Sequence, residues 1–282
     1  NERSWYRFGT GDYGFASSPI FENVNYGYYM PHGFHTPASW VGMFAQRYMH
    51  EYGATSEDFG RVSVASRDFA ATNPAAFFYE KPITLEDHQT SKWICEPLRL
   101  LDCCQESDGA VAMVITSVDR AKTLKQKPVV IKAGAQGIAE GQQIMTSYYR
   151  EDITGLPEMG IVAKELYAQS GLGPDDFQTA VIYDHFTPFV LPQLEEFGFA
   201  ERGKAKDFIR AGHHERGGKL PINTHGGQLG EAYIHGMNGV AEAVRQVRGS
   251  AVNQVDDVEN VLVTAGTGVP TSGLILGTAG AE

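Results

Sequence analysis

The chain has 282 residues, of which 42% are hydrophobic and 20% charged, and a formal net charge of -11. That length exceeds one typical core unit, the composition is globular rather than disordered, and no uninterrupted apolar run approaches the roughly 20 residues of a membrane helix. A negative field of this size repels a phosphate backbone and argues against nucleic acid as a partner.

The first helix is punctuated at both ends: Thr36 as N-cap, Pro37 in the first helical position, apolar Trp40, Met43, Phe44 and Tyr48, then Gly53 as terminator. A second follows, opened by Ser56, Glu57 and Asp58 and stopped by Asn73-Pro74. Residues 75–105 read as irregular. The run from Gly109 to Thr116 is short, apolar and uncharged, the pattern of a strand buried on both faces. Similar runs recur at Pro128 to Ala133, Thr179 to Tyr183, Asn260 to Thr264 and Ser272 to Leu276. Helical stretches separate them: Glu158 to Ser170 ended by Gly171, Pro188 to Phe197 ended by Gly198, and Glu231 to Val247. Alternating strands and helices predict α/β layers, with the last two strands close enough to form an antiparallel hairpin.

Cys95, Cys103 and Cys104 show neither paired zinc spacing nor an even count, which fits buried thiols in a reducing, cytoplasmic setting. One basic stretch, with Arg202, Lys204, Lys206, Arg210, Arg216 and Lys219, reads either as a solvated face or as a site for a coenzyme A phosphate or an acidic partner. His213, His214, His225 and His235 match no standard metal-ligand spacing, and no metal is expected in this chain. Asp184 reads as a helix cap or as a residue orienting Tyr183, and Asn223 as a shaper of its loop.

The most informative segment runs from Asn223 to Gly239, where glycines cluster before a helix and let backbone approach a ligand. On spacing alone it is a ligand loop without a phosphate-loop or dinucleotide fingerprint. It resembles the thiolase motif N-x-S-G-G followed by G-H-P-x-G-x-[ST]-G, with Asn223, Gly226, Gly227, Gly236 and Gly239 in register. Tyr183-Asp184-His185-Phe186 resembles the H-D-C-F loop of sterol-carrier-type thiolases, residues 98–110 resemble their entry to the last strand of the N-terminal half, and residues 264–268 their C-x-G-x-G loop.

The resemblance implies a thiolase-like layered αβαβα fold with mixed sheets. Residues 1–121 would belong to the N-terminal half, whose opening portion and nucleophilic cysteine would fall ahead of Asn1, and residues 122–282 to the C-terminal half. The departures fall on the residues a thiolase uses. Tyr183 stands at the H-D-C-F histidine, Tyr233 at the G-H-P histidine and Thr264 at the second cysteine. Claisen chemistry needs a thiolate and an acid/base that Thr264 cannot supply. A retro-aldol cleavage needs only a base, donors for a thioester enolate and an acid, which two tyrosines and the backbone near Gly226, Gly227 and Gly268 can provide. Lowering a phenol to about pH 7 takes roughly 4 kcal/mol, for which His185, His225 and His235 are candidate helpers.

This combination is similar to the lipid-transfer-protein-like aldolases of bacterial steroid side-chain degradation. That resemblance implies a 17-hydroxy steroid acyl-coenzyme A substrate and no intrinsic cofactor. It also implies a thiolase-type homodimer within a heterotetramer with an OB-fold zinc-ribbon partner, the only zinc carrier. A Claisen thiolase or acyltransferase, and a non-catalytic lipid or acyl-coenzyme A carrier, are the alternatives.

Overall fold

The computed structural model describes residues 27–34, 36–143, 145–267 and 271–279. Helix α1 (Pro37–Tyr52) begins at a capping box in which the Thr36 hydroxyl accepts from the Ser39 amide and Ser39 returns the bond, and it ends at left-handed Gly53. Helix α2 (Ser56–Thr72) is capped by Thr55, whose amide donates to Asp58 at 2.7 Å. Asp58 also receives Nε and Nη2 of Arg210 at 2.7 and 2.8 Å, so one buried carboxylate starts α2 and ties it to the short helix α7 (Ala205–Arg210).

The segment expected to be irregular contains helix α3 (Leu85–Thr90) and a small antiparallel ribbon of β1 (Trp93–Cys95) and β2 (Leu98–Arg99). These elements are too short to leave a periodic signature. The strand expected at 109–116 is not formed: no described strand lies alongside it, and Val114 and Ile115 are 92% and 78% exposed. An apolar run becomes a strand only when a neighbour accepts its backbone hydrogen bonds. Helix α4 (Val118–Lys122) follows.

A four-stranded mixed sheet holds the rest together in the order β3 (Val129–Gly137), β6 (Thr271–Thr278), β5 (Asn260–Ala265), β4 (Thr179–Val181). Strand β5 runs parallel to β4 and antiparallel to β6, which gives the expected closing hairpin. Alternation sorts the side chains onto two faces. Val261, Val263, Val181 and Leu276 meet Ala243 and Val247 of helix α9 (Met237–Arg248). On the opposite face Leu262, Ala180, Ile182 and Ile275 join helix α5 (Pro157–Ser170), helix α6 (Val190–Glu196) and α1 in the larger core. Full burial of side chains such as Phe44, Phe59 and Leu194 stabilises the fold by roughly 2 kcal/mol each.

The helix expected from Glu231 starts later, at Met237. His235 and Gly236 have positive φ (48° and 85°), which breaks the helix and leaves only a four-residue turn, α8 (Gly227–Gly230), ahead of it. The basic stretch is engaged within the protein: Arg202 with Asp152, Arg210 with Asp58, Arg216 with Asp68 and Asn253, and Lys219 with Asp175. That pairing favours the solvated-face reading over a coenzyme A phosphate site. All three cysteines are free thiols. No described helix is long and apolar enough to cross a membrane.

Candidate active site

The carboxyl end of β4, the loop after it and the glycine-rich loop meet at one place, although their residues lie about 40 to 80 positions apart in sequence. Asn223, at φ 53°, forms a side-chain ladder with Ile182: Oδ1 accepts its amide at 2.9 Å and Nδ2 donates to its carbonyl at 2.8 Å. This anchors the glycine-rich loop to the strand end that carries Tyr183. The Tyr183 amide donates to Thr264 Oγ1 at 2.9 Å, and Thr264 donates to Gln193 Oε1 at 2.7 Å. Gln193 Nε2 closes the circuit on the Tyr183 carbonyl at 2.8 Å. Thr264 and Gln193, both buried, therefore bracket the Tyr183 backbone.

The two tyrosines come together. Their hydroxyls are 3.1 Å apart, with either able to donate, and both side chains are buried. Burial, then the neighbouring Tyr233, raises the Tyr183 phenol above its ordinary value. This opposes the expectation of a lowered phenol at this position, because its hydroxyl meets another phenol rather than a cation.

Asp184 is also buried. Its carboxyl accepts the Gln228 amide at 2.8 Å and lies 3.5 Å from Ser66 Oγ. Burial pushes it up to about 6, opposed chiefly by the Gln228 amide and by His225. It thus caps the turn α8 and supports the loop beneath Tyr183. Gly227, at φ 64°, has no room for a side chain, since an added Cβ would overlap this carboxyl. Gly226 donates its amide to the Asn223 carbonyl at 2.7 Å, so that N–H is already used within the loop. Gly268 lies outside the described residues.

The histidines separate. His185 stacks on Phe189 with ring centroids 5.3 Å apart and touches Tyr183 at 4.8 Å. Its Nε2 lies 3.2 Å from Thr267 Oγ1, and its buried Nδ1 has no hydrogen-bond partner. Burial, then His235, lowers its basicity to about 3. His235 is exposed, with its ring 4.5 Å from that of Tyr233. His225 lies behind the loop, 3.9 Å from Glu231. Among the described residues no group of three or more His, Cys, Asp or Glu side chains is placed to hold a metal ion.

Several members of the site carry no signal of their own in the sequence. Cys104, whose amide donates to the His185 carbonyl at 2.9 Å, is a half-buried thiol rather than the buried one expected, and desolvation raises its pKa. Ser107 accepts the Tyr233 amide at 3.1 Å. Gln193, Thr267 and Gln228 likewise act through contacts distant in sequence, which a reading of neighbouring residues does not reveal.

Residues 139–278 match the sequence profile described as the thiolase C-terminal domain-like family. The chain is 65% identical over 277 residues to the steroid side-chain-cleaving aldolase of Thermomonospora curvata, covering 98% of this chain and 71% of that protein. The chain belongs to the thiolase superfamily, among its steroid side-chain-cleaving aldolases. The 17-hydroxy-3-oxo-4-pregnene-20-carboxyl-CoA lyase of Mycobacterium tuberculosis is likewise 65% identical, over 98% of this chain and 72% of its own. The solved Ltp2-ChsH2(DUF35) aldolase superposes with a TM-score of 0.90 at 67% identity, covering 91% of this chain and 67% of that one. Within this thiolase relative, the hydroxyls of Tyr183 and Tyr233 meet where the resemblance placed two histidines, and Thr264 serves as a backbone bracket where it placed a cysteine.

Proposed function

We propose that this chain is a carbon-carbon lyase that cleaves a 17-hydroxy steroid side-chain acyl-coenzyme A thioester to a 17-keto steroid and propionyl-coenzyme A. The observation that carries the reading is the buried pair of phenols, 3.1 Å apart, at the two positions where the resemblance places histidines.

In the reaction the oxygen-bound proton at C17 passes into the hydrogen-bonded pair, which starts as two neutral phenols because burial raises Tyr183, as the pair's other hydroxyl begins to give its proton toward the α-carbon. The C–O bond becomes a carbonyl as the bond from C17 to the α-carbon of the thioester breaks, and that electron pair enters the thioester as an enolate. The α-carbon then takes a proton from a phenol, restoring the starting protonation of the pair. No oxidant, reductant or free coenzyme A is consumed. Because each phenol hydrogen-bonds the other, the two share one proton inventory, and Asp184, Thr264 and Gln193 hold Tyr183 in register for the transfer.

The partner belongs to the same proposal. The solved Ltp2-ChsH2(DUF35) aldolase supports a partner protein for this chain, and the family resemblance makes that partner a small OB-fold zinc-ribbon protein bound to a homodimer of this chain, with zinc confined to the partner. The division into N-terminal (1–121) and C-terminal (122–282) thiolase halves and a cytoplasmic location are part of the same proposal. Tyr183→Phe and Tyr233→Phe each remove one hydroxyl and keep the ring. Each is expected to lower kcat by about 100-fold or more in a mass-spectrometric assay of 17-keto steroid release. Native turnover in both, with normal folding, would remove the tyrosine pair from the chemistry.

A further inference from the structure

We propose that Nδ1 of His185 donates the hydrogen bond that holds the thioester oxygen of the substrate as it becomes an enolate. The inference rests on the lyase reading above and assigns the one function that reading leaves without a group. A retro-aldol step places negative charge on the thioester oxygen, and donors fixed beforehand at that oxygen are worth most in a dry site. The glycine-rich loop does not offer the Gly226 amide for this, since it is bonded to the Asn223 carbonyl.

His185 offers a free group. It is 4% exposed and its Nδ1 has no partner within the protein; His214 and His225 also leave Nδ1 unpaired, but of the three only the His185 ring packs against Tyr183 of the phenol pair. Its other nitrogen, Nε2, lies 3.2 Å from Thr267 Oγ1. With the Thr267 hydroxyl donating to Nε2, the ring proton sits on Nδ1, which then has a hydrogen to give. Three rings fix the imidazole: Phe189 beneath it at 5.3 Å and 6°, Phe186 at 5.1 Å, and Tyr183 at 4.8 Å. The same Tyr183 places its hydroxyl 3.1 Å from Tyr233, so a substrate held against the phenol pair lies beside this ring.

The neutral state suits the task. Burial and His235 keep the imidazole uncharged at neutral pH, so it polarises the oxygen without handing a proton to the enolate before the carbon is protonated. The residue is also a departure in sequence, because the sterol-carrier-type H-D-C-F motif has cysteine where this loop has His185.

The test uses the full chain with its zinc-ribbon partner and a steroid acyl-coenzyme A that lacks the 17-hydroxyl and carries carbon-13 at the thioester carbonyl. Bound to the native protein, the carbonyl resonance is expected downfield of its position in water. In His185→Phe it returns toward the apolar-solvent value, and in His185→Gln, which keeps an N–H donor, most of the shift survives. With cleavable substrate, His185→Phe lowers kcat by about 100-fold while KM changes less than about threefold, and His185→Gln recovers at least about tenfold. A carbonyl resonance equal in native protein and His185→Phe, or native kcat in His185→Phe, overturns the assignment. Should His185→Phe not fold, Thr267→Val carries the decision: a lowered kcat with an upfield carbonyl supports the contact, and unchanged values reject it. If the native protein leaves cleavable substrate intact, the lyase reading fails, and the carbonyl shift of the uncleavable thioester still reports on the His185 contact by itself.

Discussion

At the scale of single residues, the site depends on groups whose charge is suppressed by burial. His185 is held neutral well below its ordinary 6.5, at about 3, and His214 at about 4, in both cases chiefly by desolvation. The folded value lies below the unfolded one, so the native state binds fewer protons. The stabilisation from each neutral imidazole is complete above about pH 6.5 and is lost as pH falls toward the folded value. For His185 the shift corresponds to on the order of 5 kcal/mol. Denaturant unfolding of native protein is expected to show stability falling between pH 6.5 and 4, with a shallower fall in His185→Gln. Parallel curves for the two would show that His185 is not the titrating group. Asp184 has the opposite sign: its folded value is raised to about 6, so its contribution is present below about pH 4 and lost as pH rises through 6.

At the scale of elements, two glycines and one acid set the position of the site. Gly236 has φ 85°, and an added Cβ would sit 3.2 Å from the Tyr183 ring, while Gly227 abuts the Asp184 carboxyl at φ 64°. Gly236→Ala and Gly227→Ala are each expected to lower Tm and to reduce activity more than stability, since both displace the catalytic strand end. Native activity in either would show that the loop tolerates displacement. Asp58 caps α2 and holds Arg210, so Asp58→Ala is expected to cost about 2–3 kcal/mol of unfolding free energy, read by urea denaturation. A change below about 0.5 kcal/mol would place α7 outside the cooperative core. The capped helices α1 and α2, the strands β3 to β6 and the closing hairpin were legible because caps and apolar runs act locally. The late start of α9 was not, because positive φ at His235 follows from the loop's packing rather than from its composition. The run 109–116 has strand chemistry without a described neighbour, and pairing is a property of two segments, not one.

At the scale of the molecule, the meeting of Tyr183 with Tyr233 was legible only through the thiolase motifs, which place two distant loops at one site. The contacts that brace them, through Gln193, Thr264, Ser107 and Cys104, join residues about 70 to 130 positions apart and leave no mark in local sequence. The basic stretch shows the reverse: its charge pattern suggested an anion site, and the fold consumes it in ion pairs that staple α7 and its neighbours to the body. The net charge of -11 leaves coenzyme A recognition to local contacts rather than to the overall field. The most direct test is to incubate this protein, with and without a zinc-ribbon partner, with a 17-hydroxy steroid side-chain coenzyme A thioester and to follow the products by mass spectrometry. The account predicts a 17-keto steroid and propionyl-coenzyme A in equal amounts without added coenzyme A. Bound but intact substrate, or a shortened acyl thioester formed only with free coenzyme A, would contradict it.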